Sequence, residues 1–180
     1  MKGIRKISLA MVLIMILSFS TSISSLAAVK ITVNGDQTMV VGFSRRIYVT
    51  GAGSRTVKVT SSSSAVSVRK DSKSIIVTGK KPGSAYVTVQ VGSIKKRIHF
   101  VVLSITQAYV RVTNYLRKYN KNALTADVDS GGPKAIWLWT FPEGKGGNTL
   151  DIKLNLETGR AVCYSGWEYS KKIPKSFKIW

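Results

Sequence analysis

Nucleophilic or acid–base chemistry in this chain of 180 residues would have to draw on one histidine, His99, one cysteine, Cys163, and 8 acidic residues. A thiol nucleophile needs a base within hydrogen-bond reach. Cys163 lies in the apolar run Ala161-Val162-Cys163-Tyr164, which predicts a buried, inert thiol. His99 lies far away in an alternating segment and is expected to be a partly exposed strand residue. Asp127 and Asp129 have the spacing to share one strand face, as paired carboxylates or an oxygen-liganded cation would require. Asp129-Ser130-Gly131-Gly132-Pro133 is nevertheless a turn sequence, where Asp bonds nearby backbone amides. No residues have zinc-ligand spacing, and no Gly-rich loop precedes a helix to cradle phosphate; Gly144-Lys145-Gly146-Gly147 falls between strands as a hairpin loop. The residues therefore imply no catalytic site, no metal and no cofactor, and the expected protein is not an enzyme.

Non-covalent recognition is better supplied. In Ala135-Ile136-Trp137-Leu138-Trp139-Thr140-Phe141, alternation sends Ile136 and Leu138 to one side and Trp137, Trp139 and Phe141 to the other. One side can pack under a helix. The other must be covered by the rest of the fold, by Trp167, Tyr169 or Trp180, or by a ligand stacked on Trp137 and Trp139. Charge is the second resource. Removing Lys2, Arg5 and Lys6 from the 28 basic residues leaves 25 against 8 acidic ones. They divide as 13 basic and 2 acidic residues from Val29 to Leu103, and 12 and 6 from Ser104 to Trp180. Such a surface attracts polyanions and releases their counterions. The cations expected to do so are Arg45, Arg46, Arg55, Lys58, Lys80, Lys81, Lys95, Lys96 and Arg97. They are scattered over strands and turns without interleaved stacking aromatics, which argues against a dedicated nucleic-acid site.

These side chains must be held by mainly β structure. From Lys30 to Leu103, about seven short strands are predicted: Ile31 to Val33, Arg46 to Thr50, Thr56 to Thr60, Ala65 to Arg69, Lys73 to Thr78, Ala85 to Val91 and Lys95 to Leu103. Ile98, Phe100 and Val102 should face a core, and Arg97, His99 and Val101 should face away. The period then changes. Ser104-x-x-Gln107 is a capping box, and Ile105, Ala108, Tyr109, Val112, Leu116 and Tyr119 follow helical spacing, predicting one amphipathic helix from Ile105 to Tyr119. Strands are predicted at Leu124 to Val128, Ala135 to Phe141, Thr149 to Leu156 and Arg160 to Tyr164. Glu157-Thr158-Gly159-Arg160 supplies a hairpin turn between the last two. The fold class is mainly β: a β-sandwich over residues 29–103, followed at 104–180 by a small α+β module with one helix on an antiparallel sheet.

Two resemblances extend this reading. Ser61 to Val91 has a serine-rich turn, a short strand and the spacing of Gly79, Gly83, Ala85, Val87 and Val89 that resembles group 2 of the bacterial immunoglobulin-like family. The chain departs from that family at Val57-Lys58-Val59, where a Trp is common. The resemblance covers Val29 to about Leu103 and implies that the sandwich over residues 29–103 is an immunoglobulin-like β-sandwich displayed at a cell surface, without naming a ligand. Leu154-Asn155-Leu156-Glu157-Thr158-Gly159-Arg160-Ala161-Val162 is similar to the hairpin of PepSY-type domains, with Asn155 at the usual acidic place. That likeness implies a peptidase-associated or regulatory module.

Residues 1–28 read as a secretory signal: Lys2, Arg5 and Lys6, an apolar run from Ile7 to Phe19, and a small-x-small site at Ser25-Leu26-Ala27. Ser18, Ser20, Thr21 and Ser22 break the run before it reaches the roughly 20 residues of a spanning helix. A lone cysteine allows no internal disulfide, so packing must supply stability. The expectation is a secreted or cell-envelope-associated binding or adhesion protein. Its partner would be an anionic cell-wall or host polysaccharide, with membranes touched only through surface electrostatics. The alternative is a PepSY-like regulator or inhibitor that partners an exported peptidase.

Overall fold

A computed structural model describes residues 28–72, 74–119, 123–130, 132–141, 150–164 and 173–180. Residues 1–27, which hold all but the last residue of the expected signal, Lys73, Gly144 to Gly147, Trp167 and Tyr169 lie outside the described residues. No helix among the described residues is long and apolar enough to cross a membrane.

The chain is mainly β. Its first part holds β1 (Lys30–Asn34), β2 (Thr38–Val40), β3 (Ser44–Thr50), β4 (Val57–Ser61), β5 (Val66–Asp71), β6 (Ser74–Gly79), β7 (Gly83–Val91) and β8 (Ile94–Leu103). These form two sheets, ordered β1-β3-β6-β5 and β2-β8-β7-β4. Lettered in chain order, that is the immunoglobulin arrangement of ABED facing CFG, with β2 as an added edge strand. β2 pairs in parallel with β8, and the other pairs are antiparallel. Period-two alternation builds the core between the sheets. Val87, Val89 and Val91 from β7 and Ile98, Phe100 and Val102 from β8 pack toward Ile47, Ile75 and Val77. Burying a side chain as large as Phe100 contributes about 2–3 kcal/mol.

The residues of the first resemblance have local reasons. Ser61 Oγ donates to the Ser63 carbonyl at 2.8 Å, Ser63 Oγ accepts from the Ala65 amide at 3.1 Å, and Ser62 Oγ accepts from the Tyr86 amide at 2.9 Å. The serine run thus satisfies its own turn and ties it to β7. Gly79 ends β6 where a Cβ would come within 2.9 Å of Val102 Cγ1, so only glycine lets the two sheets close there.

Leu103 leads into α1 (Ile105–Leu116) through the expected capping box. Ser104 Oγ accepts from the Gln107 amide at 3.0 Å, and Gln107 Oε1 accepts from the Ser104 amide at 2.9 Å. The α-helix stops short of Tyr119. Lys118 and Tyr119 bond back to the carbonyls of Tyr115 and Leu116, tightening the last turn into i→i+3 bonds. β9 (Leu124–Ser130), β10 (Ala135–Phe141), β11 (Leu150–Asn155), β12 (Arg160–Cys163) and β13 (Ser176–Lys178) follow as an antiparallel meander in the order β13-β12-β11-β10-β9. Ala108, Val112 and Leu116 of α1 cover Ile136, Leu138, Ile152, Leu154 and Cys163 in a second core. Tyr115 stacks on Phe177 with centroids 4.0 Å apart.

The two cores touch. Val40 and Leu103 belong to the second, while Phe43 packs against both. Two polar ties run alongside: Lys178 Nζ lies 2.5 Å from Asp36 Oδ2, and Arg45 Nη2 donates to the Glu157 carbonyl at 2.6 Å.

Candidate polyanion-binding surface

The tertiary structure divides the nine expected cations into groups with different roles. Arg45 departs from expectation. Its position on β3 turns it inward, and only 6% of it is exposed. Its guanidinium donates to the carbonyls of Asp36 (2.8 Å), Ser44 (3.1 Å), Thr38 (3.0 Å) and Glu157 (2.6 Å), so it has no free fork for a polyanion. Burial lowers its pKa, and the nearby charges of Asp36 and Glu157 oppose that shift.

Three more cations are partly engaged. Arg46 pairs with Asp71 at 3.0 Å and also donates to Ser74 Oγ at 2.9 Å. That contact holds the Asp71 carboxyl below its ordinary pKa. Arg55 donates to the carbonyls of Gly51 and Ala52 and secures the β3–β4 loop. Lys96 donates to the Ile31 carbonyl at 2.8 Å, clamping β8 to β1 of the opposite sheet.

The remaining five face outward. Lys80 and Lys81 occupy the β6–β7 turn. Lys58, Lys95 and Arg97 lie on the solvent face of the β2-β8-β7-β4 sheet, where register places Lys58 opposite Gln90, Gln90 opposite Lys95, and Arg97 in the next row. The Arg97 guanidinium carbon sits 3.6 Å from the centroid of the Tyr86 ring, and the His99 ring lies 4.8 Å from it between centroids, tilted by 34°. The Tyr86 platform has no signature in the sequence alone, because the pairing of Tyr86 with His99 exists only in the register of β7 against β8. None of the four strands of this sheet carries a carboxylate.

Trp137 and Trp139 lie on the face of the second sheet opposite α1, half-buried. Trp137 meets the ring of Tyr164 at 5.0 Å and the Lys153 ammonium at 5.4 Å from its centroid. Tyr164, at 58% exposure, keeps this face partly open. Ile136 and Leu138 are buried on the helix side, in agreement with the alternation. Asp127 and Asp129 lie on β9, whose backbone register alone is described. Asp129 pairs with Trp137, whereas Asp127 falls in a shift of register between the Leu138–Val128 and Trp139–Ala126 pairs.

His99 and Cys163 are not brought together. His99 lies on the outside of the sandwich, and Cys163 lies under α1 with 1% exposure, its Sγ 3.7 Å from the Pro174 carbonyl. Burial pushes the thiol pKa up to about 11. The folded protein should therefore resist iodoacetamide at pH 8 and be modified at least about tenfold faster in denaturant. Mass spectrometry of timed quenches checks this, and equal rates would place the thiol at the surface. Among the described residues, no three His, Cys, Asp or Glu side chains gather as metal ligands would.

The hairpin after β11 shows what Asn155 does at its acidic-like place. Asn155 Oδ1 accepts from the amides of Glu157 and Thr158, both at 2.9 Å, so an amide oxygen performs the turn-capping task. No protein-family model matches the chain, and no curated protein matches it.

Proposed function

We propose that the protein is an exported, non-catalytic surface or secreted binding protein whose basic face holds anionic polymers of the envelope or of a host. One observation supports this most: Lys58, Lys95 and Arg97 share a sheet face whose strands contain no carboxylate. Lys58 and Lys95 stand two strands apart, about 10 Å by the usual strand spacing. At that distance two charges repel by only about 0.4 kcal/mol in water, so the fold tolerates them. A polyanion laid across the face removes that repulsion and liberates counterions. The half-buried rings of Trp137, beside Lys153, and of Trp139, paired across the strands with Asp151, would add short-range selectivity for flat sugar faces.

Retention on immobilised heparin or teichoic acid tests the reading. Affinity is expected to fall roughly tenfold or more between 50 and 200 mM salt, and the Lys58→Ala/Lys95→Ala/Arg97→Ala variant should elute earlier. Retention indifferent to both salt and these substitutions would sink the electrostatic reading. Capture of an exported peptidase without any polyanion retention would favour the regulatory alternative.

A further inference from the structure

A second gathering of cations draws on both parts of the chain. A cleft of about 1050 Å3 lies between the solvent face of the β1-β3-β6-β5 sheet and the β9–β10 turn. That volume suits a ligand of several linked units. One register row across its floor carries Ser44, Thr78 and Ser67, and Ser44 Oγ lies 2.7 Å from Thr78 Oγ1. The next row carries Arg46, Ile76 and Arg69. Lys80 continues the sandwich wall, and Lys134 stands on the wall from the second sheet.

Two of these cations already have acidic partners: Arg46 with Asp71 at 3.0 Å, and Lys134 with Glu157 at 3.1 Å. The side chains of Arg69 and Lys80 make no hydrogen bond or ion pair among the described residues, the Arg69 charge acts at longer range on Asp71, and Glu157 is the one carboxylate residue in the lining. The cleft also has an apolar part. Val41 and Ile105 line it at 37% and 46% exposure, with Phe43 and Pro133 beside them.

Hydroxyls, cations and apolar carbon within one cleft match the three surfaces of an anionic sugar chain: its hydroxyls, its charged groups and its C–H faces. A bare inorganic polyanion has no use for the apolar part. Single-stranded nucleic acid stacks on aromatic platforms, whereas Phe43 is partly buried between the two cores. We propose that this cleft seats a short stretch of an anionic glycan, with Arg69 and Lys80 of the sandwich and Lys134 of the second sheet contacting its charged groups. The proposal rests on the polyanion-binding reading and adds to it a defined seat on the other sheet of the sandwich from Lys58, Lys95 and Arg97. Because the walls come from both parts of the chain, an occupied cleft also stabilises their docking by mass action.

Calorimetric titration of the mature chain with a size-defined heparin hexasaccharide tests the seat. An oligogalacturonide arm separates sulfate esters from carboxylates, and neutral dextran serves as the blank. Arg69→Ala and Lys134→Ala are each expected to weaken hexasaccharide binding about fivefold to tenfold. Lys30→Ala, which removes the same charge from β1, should change it less than about twofold. Urea unfolding of each variant confirms that the fold is kept; Lys134 and Glu157 form an exposed pair whose loss costs little. Equal losses from all three substitutions, or none from the cleft pair, would overturn the seat. If long-chain heparin retention then still depended on Lys58, Lys95 and Arg97, the broader reading would stand without it. No hexasaccharide or heparin binding by the unmodified chain at low salt would remove both. Tighter binding of a charge-matched oligothymidylate would replace the glycan with nucleic acid.

Discussion

Arg45→Ala is expected to destabilise the protein by about 2–4 kcal/mol, because this cation, which the sequence alone assigns to the surface, is buried in the fold. Its guanidinium closes a four-carbonyl knot: Asp36 in the β1–β2 loop, Thr38 at the start of β2, Ser44 in its own strand, and Glu157 on the far side of the contact between the two parts. Truncation leaves those carbonyls without their charged donor and leaves unfilled space around a residue that is 6% exposed. Some carbonyls lie near the surface and would recover water, which keeps the loss below that of a fully buried ion. Arg45→Lys should recover only part of the loss, because an ammonium cannot reproduce the planar fork. Urea denaturation measures the stability, and hydrogen exchange at Glu157 to Arg160 reads the docking directly. A loss under about 0.5 kcal/mol with unchanged exchange would show that the knot contributes nothing, as for ordinary surface substitutions.

Gly159→Ala is expected to cost a similar amount for a different reason. Gly159 has φ +70°, a conformation that costs an L-residue about 1–2 kcal/mol. A Cβ there would also lie 2.5 Å from two ring carbons of Trp180, so the indole must leave its place over the turn. Gly159 accepts from the Ile179 amide at 3.0 Å, and displacement of the ring therefore loosens the strand end next to β13. The expected total is about 2–4 kcal/mol. A double-mutant cycle with Trp180→Ala separates the two causes. In the Trp180→Ala background the clash is gone, and Gly159→Ala should cost only the backbone part. Equal costs in both backgrounds would mean that Trp180 does not rest on this turn.

Much of this architecture follows from local pattern. The alternation of Val87, Val89 and Val91 against Ile98, Phe100 and Val102, the helical spacing of Ala108, Val112 and Leu116, and the Ser104/Gln107 box are properties of neighbouring residues. They could therefore be read without knowing the fold. β2 and β13, at three residues each, are too short to show a period, and only the partners β8 and β12 define them as strands. The cations show the same division. Composition alone determined that the protein carries a large excess of positive charge and few groups for catalysis. Tertiary structure decided which cations meet solvent. It buried Arg45 against a carbonyl 112 positions away, tied Lys96 across the sandwich, and left Lys58, Lys95 and Arg97 together on one face. A side chain's charge is a property of its own atoms, whereas its partners are set by strand register and by the docking of distant surfaces.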